Sequence, residues 1–144
     1  VISIGKIADI FADCGITEKH YTHSNNEGMS VTLEMLNKDF DGLCFTNLVD
    51  FDMKYGHRRD VDGYANAITE FDSWLNEFIP NMSNDDLLII TADHGCDPAF
   101  KGTDHTREQV PILIYSKNIS PENLGTIKGY NYISNIVLDN FNLR

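Results

Sequence analysis

The sequence predicts an α/β fold: a mostly parallel sheet with helices on both of its faces. Short apolar segments alternate along the chain with longer segments whose apolar residues recur every three or four positions. The short segments are continuously apolar, as in strands that are buried on both faces. Alternation of such strands with helices is typical of parallel sheets that are covered by helices, so we expect an alternating architecture of this kind.

The first half of the chain contains two predicted strands and two predicted helices. Residues 1–4 form an apolar strand that ends at Gly5, and residues 6–14 follow it with helical spacing. Residues 29–38 predict a second helix, and residues 42–49 predict a buried strand. These segments are therefore expected to form the start of the sheet and its first covering helices.

The longest predicted helix covers residues 61–79. Its apolar face repeats at intervals of four, three, four and three residues, through Tyr64, Ile68, Phe71, Leu75 and Phe78. Asp60 or Asp62 is expected to cap its first turn, and Pro80 is expected to block its continuation because proline lacks an amide hydrogen.

Two further strands and a last helix complete the prediction. Residues 87–91 predict a strand buried on both faces, and residues 110–115 predict another, with Pro111 at a sheet edge or at the start of the ladder. Residues 130–141 outline the final helix. Because no repeat or linker interrupts the chain, residues 1–144 are expected to form a single domain unit.

The composition excludes several classes of function. The 144 residues include 22 acidic and 11 basic side chains, and the formal net charge of −11 disfavours binding to nucleic acid or to anionic membranes. No apolar run approaches the roughly 18 residues that span a bilayer. The three cysteines form no Cys-x-x-Cys pair, which favours a reducing cytoplasm. Divalent cations are the more natural partners of such a chain.

Aspartate and histidine side chains follow two of the predicted strands. Asp52 and His57 come after the strand at residues 42–49, and the pair Asp93 and His94 comes after the next strand. His105 lies in a third segment, which precedes the last strand. Because neighbouring parallel strands end at the same edge of a sheet, we expect these side chains to meet there.

Carboxylates crowded at a buried strand end repel each other unless a cation lies among them. Oxygen and nitrogen ligands together suit manganese or zinc better than calcium. We therefore predict Asp52, His57 and His105 as ligands of one ion, with Asp93 and His94 contributing to a second. In the alternative interpretation, these side chains cap helices or bind turn amides.

The segments around these residues resemble the phosphopentomutases, which belong to the alkaline phosphatase superfamily of two-metal phosphoryl-transfer enzymes. The likeness spans roughly residues 5–115. It is carried by residues 5–11, 49–52, 55–60, 91–98, 102–108 and 110–111. The cofactor-independent phosphoglycerate mutases share the Asp-x4-His and Asp-His-Gly elements. The stretches at residues 96–98 and 103–108 are similar to the phosphopentomutases in particular.

The resemblance implies that ribose or 2-deoxyribose 1-phosphate and 5-phosphate are interconverted at two manganese ions, with zinc or magnesium as alternatives. It places Asp52, His57 and His105 at one ion and Asp93 and His94 at the other. It also implies a phosphorylated threonine that is primed by glucose 1,6-bisphosphate. Lys6 is a candidate contact of that phosphate; the other interpretation is an exposed lysine at a helix start.

The family's nucleophilic threonine, an N-terminal strand with a further aspartate ligand, and the cap domain have no counterpart in these residues. We therefore expect residues 1–144 to be the C-terminal part of a catalytic core, inactive alone and prone to dimerise through exposed sheet edges. The alternatives are another metal-dependent mutase or phosphatase of the superfamily, or an inactive metal-binding domain. Three arginines are expected to form salt bridges with nearby acids, and the alternative is contact with phosphate: Arg58, Arg59 and Arg107.

Overall fold

The computed structural model describes residues 1–143 and confirms the α/β class. The strands are β1 (Ile2–Ile4), β2 (Glu18–His20), β3 (Cys44–Thr46), β4 (Leu88–Thr91) and β5 (Ile112–Tyr115). The helices are α1 (Ile7–Ile10), α2 (Asn25–Met35), α3 (Val61–Asn81) and α4 (Asn131–Asn140), and a π-helical segment covers Phe51–Gly56. Within residues 1–143, no helix combines the length and apolar character needed to cross a membrane.

A parallel three-stranded sheet in the order β2-β1-β3 forms the centre of the fold. All of β1 is buried, and Ile2 and Ile4 form a core cluster with Met35 at the end of α2. The cluster is completed by Val31 and Cys44, which are partly buried against it. The continuous apolar character of β1 therefore reflects a strand that lies in the middle of its sheet.

Helices pack against this sheet, and the face that carries Phe45 is only partly covered, since Phe45 is 41% and Phe11 50% exposed. On the face of Ile4, the hydroxyl groups of Thr32 in α2 and Thr46 in β3 are hydrogen-bonded at 2.8 Å. The side chain of Phe45 points to the opposite face, because successive residues of a strand alternate. There its ring lies 6.2 Å from that of Phe11, the residue that ends α1.

The second sheet differs from the prediction. β4 pairs with β5 in antiparallel register, and the two strands form a separate sheet instead of extending the parallel one beside β3. Residues 88–90 are only half-buried and Thr91 is exposed, so the expectation of burial on both faces was wrong. An apolar run predicts a strand but carries no information about its partner. The expected place of Pro111 is confirmed, since β5 begins at the next residue.

Other differences concern polar segments and helix ends. The sequence analysis missed β2, because its residues Glu-Lys-His form an edge strand without an apolar pattern. α2 begins earlier than predicted because Ser24 caps it, accepting a hydrogen bond from the amide of Glu27 at 3.2 Å. Asp60 caps α3, whereas α3 continues one residue past Pro80 before it ends.

A reciprocal pair of hydrogen bonds joins the start of α2 to the π-helical segment. The amide of Asn25 donates to the Asp50 carboxylate at 3.0 Å, and the amide of Asp50 donates to the side-chain oxygen of Asn25 at 2.8 Å. Asn25 is buried, with 5% of its surface exposed. This pair fixes the backbone where β3 leads into the π-helical segment.

Replacing Asn25 tests this link. Asn25→Ala leaves the partly buried amide of Asp50 without its acceptor, and we expect it to lower the free energy of unfolding by about 1–3 kcal/mol. The control is Asn26→Ala, the same change at the next, exposed residue, which we expect to alter stability by less than about 0.5 kcal/mol. Urea denaturation measures both variants, and equal losses would contradict a structural role for the pair.

Candidate metal centre

The π-helical segment brings Asp52 and His57 to the same side of the backbone. The amide of His57 donates to the carbonyl oxygen of Asp52 at 2.9 Å, which closes a turn over five residues. As a result, the Nε2 atom of His57 lies 3.3 Å from Oδ1 of Asp52. The local backbone thus places two predicted ligands side by side.

Two loops bring further imidazole rings to this carboxylate. The Nε2 atom of His105 lies 3.2 Å from the same Oδ1 atom of Asp52. The ring of His94, which follows β4, stacks on the ring of His105 with centroids 3.6 Å apart. One ligand atom from each of Asp52, His94 and His105 lies within 4.8 Å of the others. These residues form the candidate metal centre together with His57.

Asp93 lies at the rim of this cluster. Its side chain is 77% exposed, and its Oδ1 atom is 3.6 Å from Nε2 of His94. Its carbonyl oxygen accepts a hydrogen bond from the hydroxyl of Tyr130 at 2.7 Å. Asp52, His57, His94 and His105 are therefore neighbours, and Asp93 adjoins them through His94. His94 lies close to Asp52 and His105, which were assigned to the other ion.

Backbone carbonyl groups orient two of the histidines. Nδ1 of His57 lies 2.5 Å from the carbonyl oxygen of Thr103, and Nδ1 of His94 lies 3.1 Å from that of Gly95. Because a carbonyl oxygen only accepts hydrogen bonds, each Nδ1 atom carries the proton. In a neutral ring, Nε2 then has a free lone pair.

In this arrangement the Nε2 lone pair of a neutral His57 ring faces an oxygen of the Asp52 carboxylate, and both atoms are hydrogen-bond acceptors. Oδ1 of Asp52 is buried and has no hydrogen-bond partner among the described residues, although the Nε2 atom of His57 is close. Burial of an unpaired carboxylate oxygen is unfavourable unless a cation or a proton donor compensates it. A metal ion fits, because carboxylate oxygen and imidazole nitrogen are both ligands of divalent transition metals.

The loop that carries His105 is fastened to the loop after β4. The amide of Thr106 donates to the carbonyl of Gly95 at 3.0 Å, in an isolated antiparallel bridge. The hydroxyl of Thr106 accepts a hydrogen bond from the amide of Asp97 at 2.7 Å and donates to the carboxylate of Glu108. These bonds hold the histidines of both loops in stacking distance.

Cys96 packs beside the cluster as a free, half-buried thiol. Burial raises the pKa of the Cys96 thiol, and the neighbouring Asp52 carboxylate raises it further. A β-carbon added to Gly56 would lie only 2.4 Å from the sulfur of Cys96. Glycine is therefore required where the π-helical segment meets the loop after β4.

Lys6 and the arginines lie around the same edge. The Nζ atom of Lys6 is exposed and donates to the sulfur of Met53 at 2.6 Å, next to Asp52 in the chain. Arg59 does not form the expected salt bridge: its guanidinium donates to backbone carbonyl oxygens of the loop before His105. The sequence analysis missed the hydrogen bonds of Arg59 to carbonyl groups and the contact of the Thr103 carbonyl with His57. Every residue has a carbonyl group, so no pattern of side chains shows which carbonyl groups accept such hydrogen bonds.

Comparison with known proteins shows the family to which the chain is related. A family model described as the metalloenzyme superfamily matches residues 1–144. Over 144 residues, the chain is 52% identical to a phosphopentomutase of Lachnoclostridium phytofermentans, covering 99% of this chain and 37% of the relative. Over 127 residues, it is 57% identical to one of Acetivibrio thermocellus, covering 88% and 33%.

A third relative is a phosphopentomutase of Helicobacter pylori, to which the chain is 55% identical over 131 residues, covering 90% of this chain and 32% of the relative. The chain spans about a third of the length of these curated relatives.

A double-mutant cycle tests the contact between Gly56 and Cys96. We expect Gly56→Ala to lower the free energy of unfolding by about 1–3 kcal/mol, because the new methyl group overlaps the sulfur. Cys96→Ala removes the sulfur, so the double variant should be more stable than the sum of the single effects predicts, by about 0.5–3 kcal/mol. Additive effects in chemical denaturation would show that the two residues are not in contact.

Proposed function

This chain belongs to the metalloenzyme superfamily, and we propose that it forms the metal-binding part of a phosphopentomutase. Such an enzyme interconverts ribose or 2-deoxyribose 1-phosphate and 5-phosphate. The relatives named phosphopentomutase support this proposal, with identities of 50–57% over most of the chain. Because the chain spans about a third of their length, the activity is proposed for the whole protein.

The observation that carries the proposal is the buried Oδ1 atom of Asp52. It has no hydrogen-bond partner within residues 1–143, and the Nε2 atoms of His57 and His105 lie 3.3 and 3.2 Å from it. A structural cluster of capping residues would satisfy such an oxygen with an N–H or O–H donor. An oxygen that is buried but unpaired among nitrogen ligands is expected of a metal site instead.

We assign Asp52, His57 and His105 to one ion, and Asp93 and His94 to a second. Because His94 lies near Asp52 and His105, two ions held by these ligand sets would be adjacent. Manganese is the proposed metal, with zinc or magnesium as alternatives, because the ligands combine carboxylate oxygen and imidazole nitrogen. Glucose 1,6-bisphosphate is the proposed activator, on the basis of the family resemblance alone.

When bound, divalent ions at this place would neutralise charge on the oxygens of a transferring phosphoryl group. The residues of this chain hold and orient the ligands for that purpose: in the neutral rings of His57 and His94, the carbonyl groups of Thr103 and Gly95 favour the tautomer whose Nε2 atom can bind a metal ion. Lys6, exposed at the end of β1, is proposed to contact a phosphate group through its ammonium. The nucleophilic threonine and the sugar-binding residues are proposed to lie outside these residues.

Metal binding tests the assignment directly. We expect His57→Ala and His105→Ala to weaken Mn²⁺ binding by more than about tenfold, because each removes a nitrogen ligand. The matched control is His23→Ala, since His23 is exposed and its ring has no partner in the part of the chain that the structure describes. Equilibrium dialysis with metal analysis measures all three variants, and unchanged Mn²⁺ binding in both site variants would overturn the metal centre.

The activity requires an assay of the full-length protein. We expect it to convert ribose 1-phosphate to ribose 5-phosphate in a coupled assay, to lose that activity on treatment with EDTA, and to regain it with Mn²⁺. Residues 1–144 alone are expected to show no conversion. Turnover of phosphoglycerate but not of pentose phosphates would favour a different mutase of the superfamily.

A further inference from the structure

Arg59 occupies an unusual place beside the candidate metal centre. Its backbone has a φ of 58°, in the left-handed region that residues other than glycine seldom adopt. Its half-buried side chain crosses to the loop of residues 97–104. This conformation ends the π-helical segment: the amide of Arg59 donates to the carbonyl of Gly56 at 3.1 Å, and the amide of Asp60 donates to that of Tyr55 at 3.0 Å. The guanidinium group adds contacts with a separate loop.

The guanidinium group binds the loop at three points. Nη1 donates to the carbonyl of Asp97 at 2.7 Å, Nη2 donates to that of Asp104 at 2.8 Å, and Nε donates to that of Gly102. All three nitrogen atoms of the planar group are thus used on backbone acceptors. No other side chain offers as many donors in a fixed plane, and a lysine ammonium would act as a single charged point.

Two functional groups lie within or next to the loop held in this way. Thr103, between two of the bonded carbonyls, offers the carbonyl oxygen that accepts the hydrogen bond from Nδ1 of His57 at 2.5 Å. His105 follows the bonded residue Asp104, and its Nε2 atom lies 3.2 Å from Asp52. A shift of this loop would therefore move one ligand and release the orientation of another.

We propose that Arg59 is a positioning residue, which holds residues 97–104 so that Thr103 orients His57 and His105 faces Asp52. The proposal rests on the proposed function for the role of these histidines, but the attachment of the loop can be tested without metal. The role assigned to Arg59 is the attachment of this loop and not a phosphate contact or a salt bridge, because each of its three side-chain nitrogen atoms donates to a carbonyl oxygen. Arg58 is the natural control, since it is exposed and its side chain has no hydrogen bond or ion pair among residues 1–143.

The first measurement is limited trypsin digestion of the metal-free, full-length protein. Lys101 lies exposed within the held loop. Cleavage by a protease generally requires local opening of the backbone, so we expect cleavage after Lys101 to depend on how readily the loop opens. Arg59→Lys keeps the charge and the trypsin site but loses the planar donors, so we expect cleavage after Lys101 to become faster by more than about tenfold. Mass spectrometry follows this single bond, and Arg58→Lys should cleave at the wild-type rate.

The second measurement is the Mn²⁺ dissociation constant of the same variants. We expect Arg59→Lys to raise it by about 10–100-fold, the usual effect of removing a group that orients metal ligands. Arg58→Lys should leave it unchanged. Arg59→Gly removes the side chain and is compatible with the left-handed backbone. We expect it to show the same faster cleavage after Lys101 and the same weaker Mn²⁺ binding as Arg59→Lys. Added methylguanidinium should restore slow cleavage in Arg59→Gly, because it can occupy the place of the missing guanidinium group.

The outcomes separate the two proposals. Wild-type cleavage after Lys101 in Arg59→Lys overturns the positioning role, and so does faster cleavage with an unchanged Mn²⁺ dissociation constant. Wild-type Mn²⁺ binding in both His57→Ala and His105→Ala overturns the metal centre instead. In that case faster cleavage in Arg59→Lys still supports the attachment of the loop by Arg59.

Discussion

The carboxylate of Asp52 sets the central physical constraint in this protein. One of its oxygens is buried without a hydrogen-bond donor among the described residues, and the Nε2 atoms of His57 and His105 lie 3.3 and 3.2 Å from it. In a protein interior, such an oxygen destabilises the fold unless positive charge reaches it. Binding of a cation would relieve this and would stabilise the folded state by the free energy of binding. Stability and metal binding are therefore expected to be coupled here.

Much of the structure near the site serves to keep that carboxylate and its neighbours in place. The π-helical segment aligns Asp52 with His57, and the bonds between Asn25 and Asp50 fix the backbone from which it starts. Carbonyl groups of two loops determine which nitrogen of His57 and of His94 is protonated. The ligands are thus oriented mainly by backbone groups, which are fixed by the fold and do not depend on side-chain rotamers.

The sequence analysis expected the metal ligands to meet at the carboxyl ends of neighbouring parallel strands, but the structure brings them together in another way. β4 pairs with β5 in a separate antiparallel sheet, and the loop after β4 reaches the π-helical segment through the close contact of Cys96 with Gly56. The bridge between Gly95 and Thr106 then adds the loop of His105. These loop contacts bring the aspartate and histidine side chains together. The predicted ligands can therefore lie close together even though the strands pair differently from the prediction.

The sequence alone determined the α/β class, because apolar runs and helical periodicity record which faces of an element are buried. It also indicated the candidate metal ligands Asp52, His57, Asp93, His94 and His105. These residues lie in loops next to predicted strands, and the segments around them resemble a known family. Only the tertiary structure decided that β4 pairs with β5, that β2 exists, and that Arg59 binds carbonyl oxygens. The physical reason is that strand pairing and carbonyl hydrogen bonds involve the backbone, which is the same at every residue and leaves no mark in the order of side chains.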